Sequence, residues 1–283
     1  MTAARAARDG VPGPGRLPAP EPLPDAALDA HCHLDLIEEP TGEVLAAARA
    51  AGITRVITVG VDLPSSRWSA GRADPAQGVY AAVAVHPNET AAAASSPARR
   101  DEVLAEIAKL AALPQVRAVG ETGLDYYREH AAPKVQRDWF RAHIDIAKQA
   151  GKALMIHDRE AHDDVLAILE AEGPPARVVF HCFSGDVAMA KRCADAGYVM
   201  SFAGNLTFAN APALRDAAAA APADLLLVET DAPFLTPVPY RGKPNTPAMV
   251  AHTVRCLAEV KQVAVADMCA AVTATGARMF GPW

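Results

Sequence analysis

Eight short apolar runs, each followed by a segment with helical character, restrict the fold of this chain more than any other feature. The runs cover residues 26–31, 55–60, 79–86, 116–121, 152–157, 177–181, 198–202 and 225–230. They end at intervals of 21 to 36 residues, close to the roughly 30 residues per unit when about 250 residues form eight strand–helix pairs. Nearly continuous apolar strands are typical of a parallel sheet buried on both faces. The pattern predicts a single-domain α/β fold, a (β/α)8 TIM barrel, with an open doubly wound sheet as the alternative.

The first 24 residues differ from the rest of the 283-residue chain. They are rich in proline and carry arginines, but they contain no continuous apolar core of the signal-peptide type. We expect a disordered extension over residues 1–24 and the barrel over residues 25–283. Because no apolar run reaches the roughly 18 residues that a membrane-spanning helix needs, we expect no membrane partner.

Charge and cysteine content exclude several classes of protein. A net charge of −6 argues against a protein that coats nucleic acid through global positive charge, although a local basic groove stays possible. The five cysteines are an odd number without a CxxC pair, which favours neither a disulfide framework nor a zinc ribbon. Reduced thiols in the cytoplasm are the simpler interpretation.

Ionisable side chains recur where the predicted strands end. They are His31, His33, His86, Glu121, His157, His181, Glu229 and Asp231. The active site of a barrel is built at the carboxyl ends of its strands, so closing the barrel brings these residues to one rim. Independent histidines at the same end of several strands predict a metal site.

The stretch DAHCHLD raises the question of whether Cys32 is also a ligand. Residues two apart on a strand share a face, so His31 and His33 converge while Cys32 points away. We therefore expect the two histidines, and not the cysteine, to bind metal.

Four imidazoles and two carboxylates suit a pair of borderline divalent ions such as Zn²⁺, Mn²⁺ or Co²⁺, and Mg²⁺ is possible if water supplies further oxygens. Two such ions stabilise both the attacking and the leaving oxygen of a displacement, which makes hydrolysis the expected reaction. Glu121 is placed to bridge the ions. Asp231 is expected to bind one ion and to accept a proton from the attacking water.

Several motifs resemble those of the TatD-type metal-dependent deoxyribonucleases, in order and over roughly residues 26–280. They are LDAHCHLD, AVHPNET, AVGETGLDYY, IHDREAHDDVLAIL, HCFSGD and VETDAPFLTPVPYRGKPNTP. The resemblance implies a (β/α)8 barrel, two divalent metal ions (Mg, Mn or Zn) and hydrolysis of DNA phosphodiesters, often from a 3′ end, in DNA repair or degradation. By position it implies six metal ligands, which the strand ends also indicate: His31, His33, Glu121, His157, His181 and Asp231. Asp231 and Glu121 are the implied catalytic residues.

Substrate contacts are expected from other polar residues on the same rim. These are His86, Arg159, Arg128, Asn205, Arg241 and Asn245. A planar guanidinium binds a phosphate through paired hydrogen bonds, and Tyr126 or Tyr127 could stack on a base. The low net positive charge favours single-stranded 3′ ends of DNA over internal duplex sites. We expect a monomer without an obligatory protein partner.

Two alternatives stay open. A barrel with this metal pair can also hydrolyse an ester or amide, for example as a D-aminoacyl-tRNA deacylase, since a fold does not fix a substrate. Many metal-dependent amidohydrolases bridge their ions with a modified lysine where this chain has Glu121. A non-catalytic barrel that serves as a scaffold is the second alternative, but no implied ligand is missing. Thr122 stands where an aliphatic residue is common in the family, and we expect this change to have no effect on the chemistry.

Overall fold

The computed structural model describes residues 17–93, 96–128 and 130–283. In this part of the chain eight parallel strands form one sheet in sequence order. The strands are β1 (Ala27–Cys32), β2 (Ile53–Val59), β3 (Val79–Val83), β4 (Val116–Asp125), β5 (Ala153–Arg159), β6 (Val178–Phe180), β7 (Val199–Phe202) and β8 (Leu226–Val228). A parallel bridge between Cys32 and Ala232 joins the first strand to the segment after the last. The predicted single-domain TIM barrel is confirmed.

Helices alternate with the strands and cover the outside of the barrel. In the described residues they are α1 (Thr41–Ala50), α2 (Leu63–Arg72), α3 (Thr90–Ala93), α4 (Pro97–Ala111), α5 (Pro133–Ala150), α6 (His162–Glu172), α7 (Val187–Asp195), α8 (Pro212–Ala220), α9 (Val250–Lys261) and α10 (Val265–Phe280). Local sequence sets their ends. Pro133, which has no backbone N–H, begins α5 at a position where an N–H would have no helical partner. Gly151 ends the helix in the left-handed region at φ 60°. Asp186 caps α7 by accepting a hydrogen bond from the N–H of Met189.

Two strands are longer than the sequence pattern predicts. β4 continues to Asp125 and β5 to Arg159, and these two residues pair with each other. The register of the pair shifts between Val119 and Thr122, so the backbone around Glu121 departs from a regular ladder. The extension carries polar residues of both strands beyond the barrel body and onto the rim.

The core fills both the barrel interior and the layer between strands and helices. The largest fully buried side chains include Trp139 and Phe140 from α5 and Phe180 and Phe202 from the strands. Each such side chain contributes about 1.5–3 kcal/mol relative to exposure. Met155 lies beneath the site, with its Sδ 3.2 Å from Nδ1 of His31.

The segment before β1 lies against the barrel as far as it is described. Residues 17–24 form no helix or strand, yet Leu23 is buried and its N–H donates to the carbonyl of Ala51. The guanidinium of Arg255 donates to the carbonyls of Glu21 and Pro22. The predicted disorder of residues 1–16 lies outside the described residues.

No single helix of the described chain has the length and apolar character to cross a membrane; Pro247–Lys261 and Val265–Phe280 meet that criterion only as a pair, with a bend of 108° between them.

Candidate metal centre

One half of the rim site joins β1 to the carboxylates of Glu121 and Asp231. The Nε2 atoms of His31 and His33 lie 3.2 Å apart. Nε2 of His33 is 3.4 Å from Oδ1 of Asp231 and 3.5 Å from Oε1 of Glu121. Cys32, between the histidines, is buried with its Sγ against the carbonyl of Ile57. The alternation of side chains along β1 is as expected, and Cys32 faces away from this group.

The other half faces the second oxygen of Glu121. Oε2 of Glu121 lies 3.0 Å from Nε2 of His181, 3.4 Å from Nδ1 of His157 and 3.9 Å from Nε2 of His86. The histidines follow or end three different strands, so barrel closure brings them together. Glu121 is therefore shared between two groups of imidazoles, with one oxygen directed at each.

Hydrogen bonds on the far side of two imidazoles fix their orientation. Nδ1 of His33 donates to the carbonyl of Val59 over 3.0 Å, and Nδ1 of His181 donates to Oε1 of Glu229 over 3.0 Å. A neutral imidazole that donates from Nδ1 presents an Nε2 lone pair. The carboxylate–histidine contact of Glu229 and His181 is the arrangement that commonly orients metal-binding histidines.

His157 is oriented by the extended end of β4. Its Nε2 lies 3.3 Å from Oδ2 of Asp125, and its Nδ1 faces Glu121. Oδ2 of Asp125 also accepts from the side-chain amide of Asn88, over 2.9 Å. The extended end of β4 thus supplies the carboxylate of Asp125, which orients the imidazole of His157.

The charges of the cluster require a cation among the donor atoms. Burial lowers the pKa of His33, but its hydrogen bond with Asp231 and the charge of Glu121 outweigh this and raise the pKa to about 9. Burial also opposes protonation of His181, yet Glu229 and Glu121 hold its pKa well above the usual range. Imidazole nitrogens and carboxylate oxygens that converge in this way bind either protons or a metal ion. The donor set of nitrogen and oxygen atoms suits borderline divalent ions.

Four overlapping groups of side chains among the described residues could each hold an ion, with ligand atoms within 4.8 Å of one another. They are His31, His33 and Glu121; His31, His181 and Glu229; His86, Asp125 and His157; and Glu121, His157 and His181. Five of the six predicted ligands belong to these groups. Asp231 does not, although it lies 3.4 Å from His33.

Asp231 is held by a turn that β1 anchors. Its φ of 54° lies in the left-handed region. The preceding Thr230 donates to the buried carboxyl of Asp29 from its N–H over 2.9 Å and from its hydroxyl over 2.5 Å. Burial raises the pKa of Asp29 to about 8, against these hydrogen bonds. The base predicted from sequence therefore stands on a turn fixed between the first and last strands.

Asn245 supports the same turn and does not face the site. The residue is fully buried, and its amide donates to the carbonyls of Thr230 and Phe234. Its Oδ1 accepts from the N–H of Thr246. Its amide hydrogens are bound to the backbone and its side chain is inaccessible, so the structure gives Asn245 a supporting role in this turn, and its contact with substrate stays a prediction.

A family model described as TatD related DNase matches residues 28–281 of the chain. The chain belongs to the TatD family. It is 46% identical over 263 residues to the uncharacterized metal-dependent hydrolase TatD of Mycobacterium tuberculosis, covering 90% of this chain and 97% of that protein. It is 38% identical over 260 residues to the uncharacterized metal-dependent hydrolase YcfH of Escherichia coli K12, covering 89% and 95%. The protein is thus a metal-dependent hydrolase of the TatD family.

The crystal structure of YJJV, a TatD homolog from Escherichia coli K12, superposes with a TM-score of 0.83. The two share 27% identity, and the match covers 90% of this chain and 98% of YJJV. The fold is therefore that of a TatD-family barrel.

His86 lies beside the cluster of this TatD-family protein in an orientation that suits a hydrogen-bond donor. Its Nδ1 accepts from the N–H of Asn88 over 3.0 Å, so the neutral ring carries its proton on Nε2, which faces Glu121. Burial lowers the pKa of His86 to about 3, which keeps the ring neutral. This tautomer favours the predicted substrate contact over metal binding.

Two of the predicted arginines stack on aromatic rings. The guanidinium of Arg159 lies 4.1 Å from the ring centre of the exposed Tyr127, and that of Arg241 lies 4.3 Å from the ring centre of Phe208. Each stack adds an attraction of about 0.5–1 kcal/mol at an exposed site. The stacking holds the planar groups while leaving their N–H edges available.

Arg128 and Asn205 occupy loops after β4 and β7. Arg128 is exposed, and its N–H donates to Oδ1 of Asp125 over 2.8 Å. Asn205 is half-buried with its amide 4.0 Å from Sγ of Cys182, the residue after His181. Its Oδ1 is buried without a hydrogen-bond partner in the described structure. Within the described residues, neither side chain forms a hydrogen bond or ion pair with the six predicted ligands.

Three carboxylates that hold the site were not among the residues predicted from sequence to be functional: Asp29, Asp125 and Glu229. The sequence does indicate that Glu229 lies at the rim, because it stands at the end of a predicted strand. Asp125 lies within the GLDYY part of a family motif, but a predicted strand end at residue 121 left it outside the rim. Asp29 carried no signal, since its partner Thr230 lies 201 residues away.

Proposed function

We propose that this TatD-family hydrolase is a 3′–5′ exodeoxyribonuclease that uses two divalent metal ions, Mg²⁺, Mn²⁺ or Zn²⁺. The observation that carries the proposal is the position of Glu121. Its Oε1 lies toward His31 and His33, and its Oε2 lies toward His157 and His181. A carboxylate shared in this way suits a pair of ions. Paired ions are the usual device for displacing an oxygen from phosphorus.

Each residue of the cluster has a role that follows from its contacts. His31 and His33 would hold one ion with Asp231, His157 and His181 would hold the other, and Glu121 would contribute to both sites. When bound, divalent ions neutralise the charge of a phosphoryl group and lower the pKa of water. Asp231 accepts the proton that the attacking water loses.

Side chains outside the cluster orient the substrate in this proposal. The Nε2–H of His86 donates to a phosphoryl oxygen, and the guanidinium groups of Arg159 and Arg241 bind flanking phosphates. Arg128 and Asn205 lie on neighbouring loops and contact the nucleotides beyond. A net charge of −6 supports recognition of a few terminal nucleotides over a long duplex. We propose single-stranded 3′ ends as the preferred substrate.

A cytoplasmic location is proposed with the same activity. All five cysteines lie within the described residues and are unpaired. Thiols that stay reduced are usual in the cytosol.

The test is hydrolysis of single-stranded and duplex oligodeoxynucleotides by metal-stripped protein, with Mg²⁺, Mn²⁺ or Zn²⁺ added back. Asp231→Asn removes the base, and Asp216→Asn on the exposed surface of α8 is the matched control. We expect metal-dependent release of 3′ nucleotides that the control retains and that Asp231→Asn reduces by about 10²–10⁴-fold.

Wild-type protein that cleaves no DNA with any of the three metals would refute the nuclease proposal. The same protein would then be assayed against D-aminoacyl-tRNA and simple amides, the class that sequence leaves open.

A further inference from the structure

His143 lies in the middle of α5 and is fully buried, although it faces neither solvent nor the metal cluster. α5 packs on β4 from outside the barrel. Sequence alone favours a packing or surface role for a histidine at this position. The structure gives it two specific hydrogen bonds.

Both ring nitrogens of His143 are used. Nε2 accepts from the N–H of Val85 over 3.3 Å, and Nδ1 lies 2.8 Å from the hydroxyl of Thr122. Because Nε2 is the acceptor, the neutral ring carries its hydrogen on Nδ1 and donates it to the Thr122 oxygen. Burial lowers the pKa of His143 to about 3, so the ring stays neutral at physiological pH.

The two partners are the immediate neighbours of site residues. Val85 precedes His86, and Thr122 follows Glu121. Successive side chains on a strand point to opposite faces. Glu121 therefore points to the cluster while Thr122 points out to α5, and His143 contacts the backbone and side chains that set both positions.

Thr122 lies at an irregular part of β4, where a hydrogen bond to a neighbouring helix stabilises the backbone. The register of β4 and β5 shifts between Val119 and Thr122, and Thr122 then pairs with Ile156, the residue before His157. The side chain of Thr122 ties this irregular stretch to α5. An aliphatic residue at this position could not accept the hydrogen bond from His143.

We propose that His143, acting through Thr122 and Val85, is a positioning residue that sets the placement of Glu121 and His86 for metal binding and hydrolysis. The rigid imidazole links Val85, just after β3, to Thr122 within β4 and fixes the distance between them. The inference rests on the part of the proposed function in which Glu121 binds metal, and it is independent of whether the substrate is DNA.

The test measures Mn²⁺ binding to metal-stripped protein by titration calorimetry, together with the melting temperature of the stripped protein. Thr122→Val removes the hydroxyl while preserving shape, and Thr122→Ser restores it. Thr275→Val is the matched control, because Thr275 is a buried threonine of α10 whose hydroxyl donates to the carbonyl of Asp224, away from the rim.

We expect Thr122→Val to weaken Mn²⁺ binding about 10-fold, the lower end of the effect of removing a contact that orients ligands. Thr122→Ser and Thr275→Val should bind Mn²⁺ within about twofold of wild type. His143→Gln serves as a second variant, because its flexible amide cannot hold both partners at a fixed distance. It should also weaken binding about 10-fold.

A purely structural role predicts a different pattern. Thr122→Val would then lower the melting temperature as Thr275→Val does while leaving Mn²⁺ affinity unchanged, and this result overturns the proposal. If only one of Thr122→Val and His143→Gln folds, an unchanged Mn²⁺ affinity in that variant also overturns the proposal. Failure to hydrolyse DNA would leave these binding results intact, so the two proposals fail separately.

Discussion

His33 and His181 at the rim and His143 in α5 are buried to a similar degree, but their pKa values are shifted in opposite directions. His33 and His181 lie among carboxylates that raise their pKa values. His143 has neutral hydrogen-bond partners, and burial together with the positive charge of Arg100 lowers its pKa to about 3. Burial alone therefore does not determine the charge of a histidine. The neighbouring carboxylates decide whether it holds a cation site or a neutral structural link.

Removing the shared carboxylate should lower the pKa of the two rim histidines that carboxylates raise. Glu121→Gln takes away one of the charges that raise these pKa values, while Asp231 stays beside His33 and Glu229 stays beside His181. We expect both pKa values to fall, which a histidine NMR titration of the metal-stripped protein would detect. Activity should fall about 10³-fold, equivalent to about 4 kcal/mol of transition-state stabilisation. Unchanged histidine titrations would show that Glu121 does not govern the charge of the cluster.

A smaller effect is expected where the carboxylate only orients an imidazole. Glu229→Gln keeps a hydrogen-bond acceptor for His181 but removes a charge that raises its pKa. Metal affinity or activity should fall about 10-fold to 100-fold. The Mn²⁺ affinity from calorimetry tests this, with Glu170→Gln in α6 as the control. An effect as large as that of Glu121→Gln would contradict the distinction between shared and orienting carboxylates.

The pH dependence of the free energy of unfolding tests the lowered pKa of His143 in α5. Between about pH 6.5 and 3 the unfolded chain binds a proton at residue 143 that the folded chain excludes, so this histidine lowers stability as the pH falls. From pH 7 to pH 5, metal-stripped wild type should lose about 2 kcal/mol more than His143→Gln in urea unfolding. The exposed His130→Gln is the control. Equal losses in wild type and His143→Gln would mean that His143 is protonated in the folded protein.

The smallest effect is expected outside the cluster. Arg159→Lys retains the positive charge but loses the planar group that stacks on Tyr127. We expect KM for an oligonucleotide to rise about fivefold with little change in kcat, since about 1 kcal/mol of binding is lost. Arg67→Lys, which keeps an exposed ion pair with Glu106, is the matched control. A loss confined to kcat would place Arg159 among the residues that act on the reacting phosphate.

The sequence was sufficient to predict the barrel and the convergence of the six candidate ligands at one rim, because both follow from strand ends. Alternating side chains correctly separated His31 and His33 from Cys32. Contacts between distant segments could not be predicted in the same way. Asn245 was taken for a substrate contact because it stands in a polar motif, and only the packed turn shows that its amide binds the backbone.

Thr122 and His143 illustrate the same limit. Thr122 was noted as a departure from the family pattern without an expected effect, and His143 as a residue without a site. They lie 21 residues apart on a strand and a helix, and their hydrogen bond depends on how α5 packs against β4. Propensity and periodicity describe each element but not the pairing of individual polar atoms between elements.

The most direct test of the central claim is the number of Mn²⁺ ions bound per chain, measured by calorimetry on metal-stripped protein and confirmed by elemental analysis. The account predicts two ions for wild type and at most one for Glu121→Gln, because the two carboxylate oxygens of Glu121 face the two groups of imidazoles. A single ion in wild type, or two ions retained by Glu121→Gln, would contradict it.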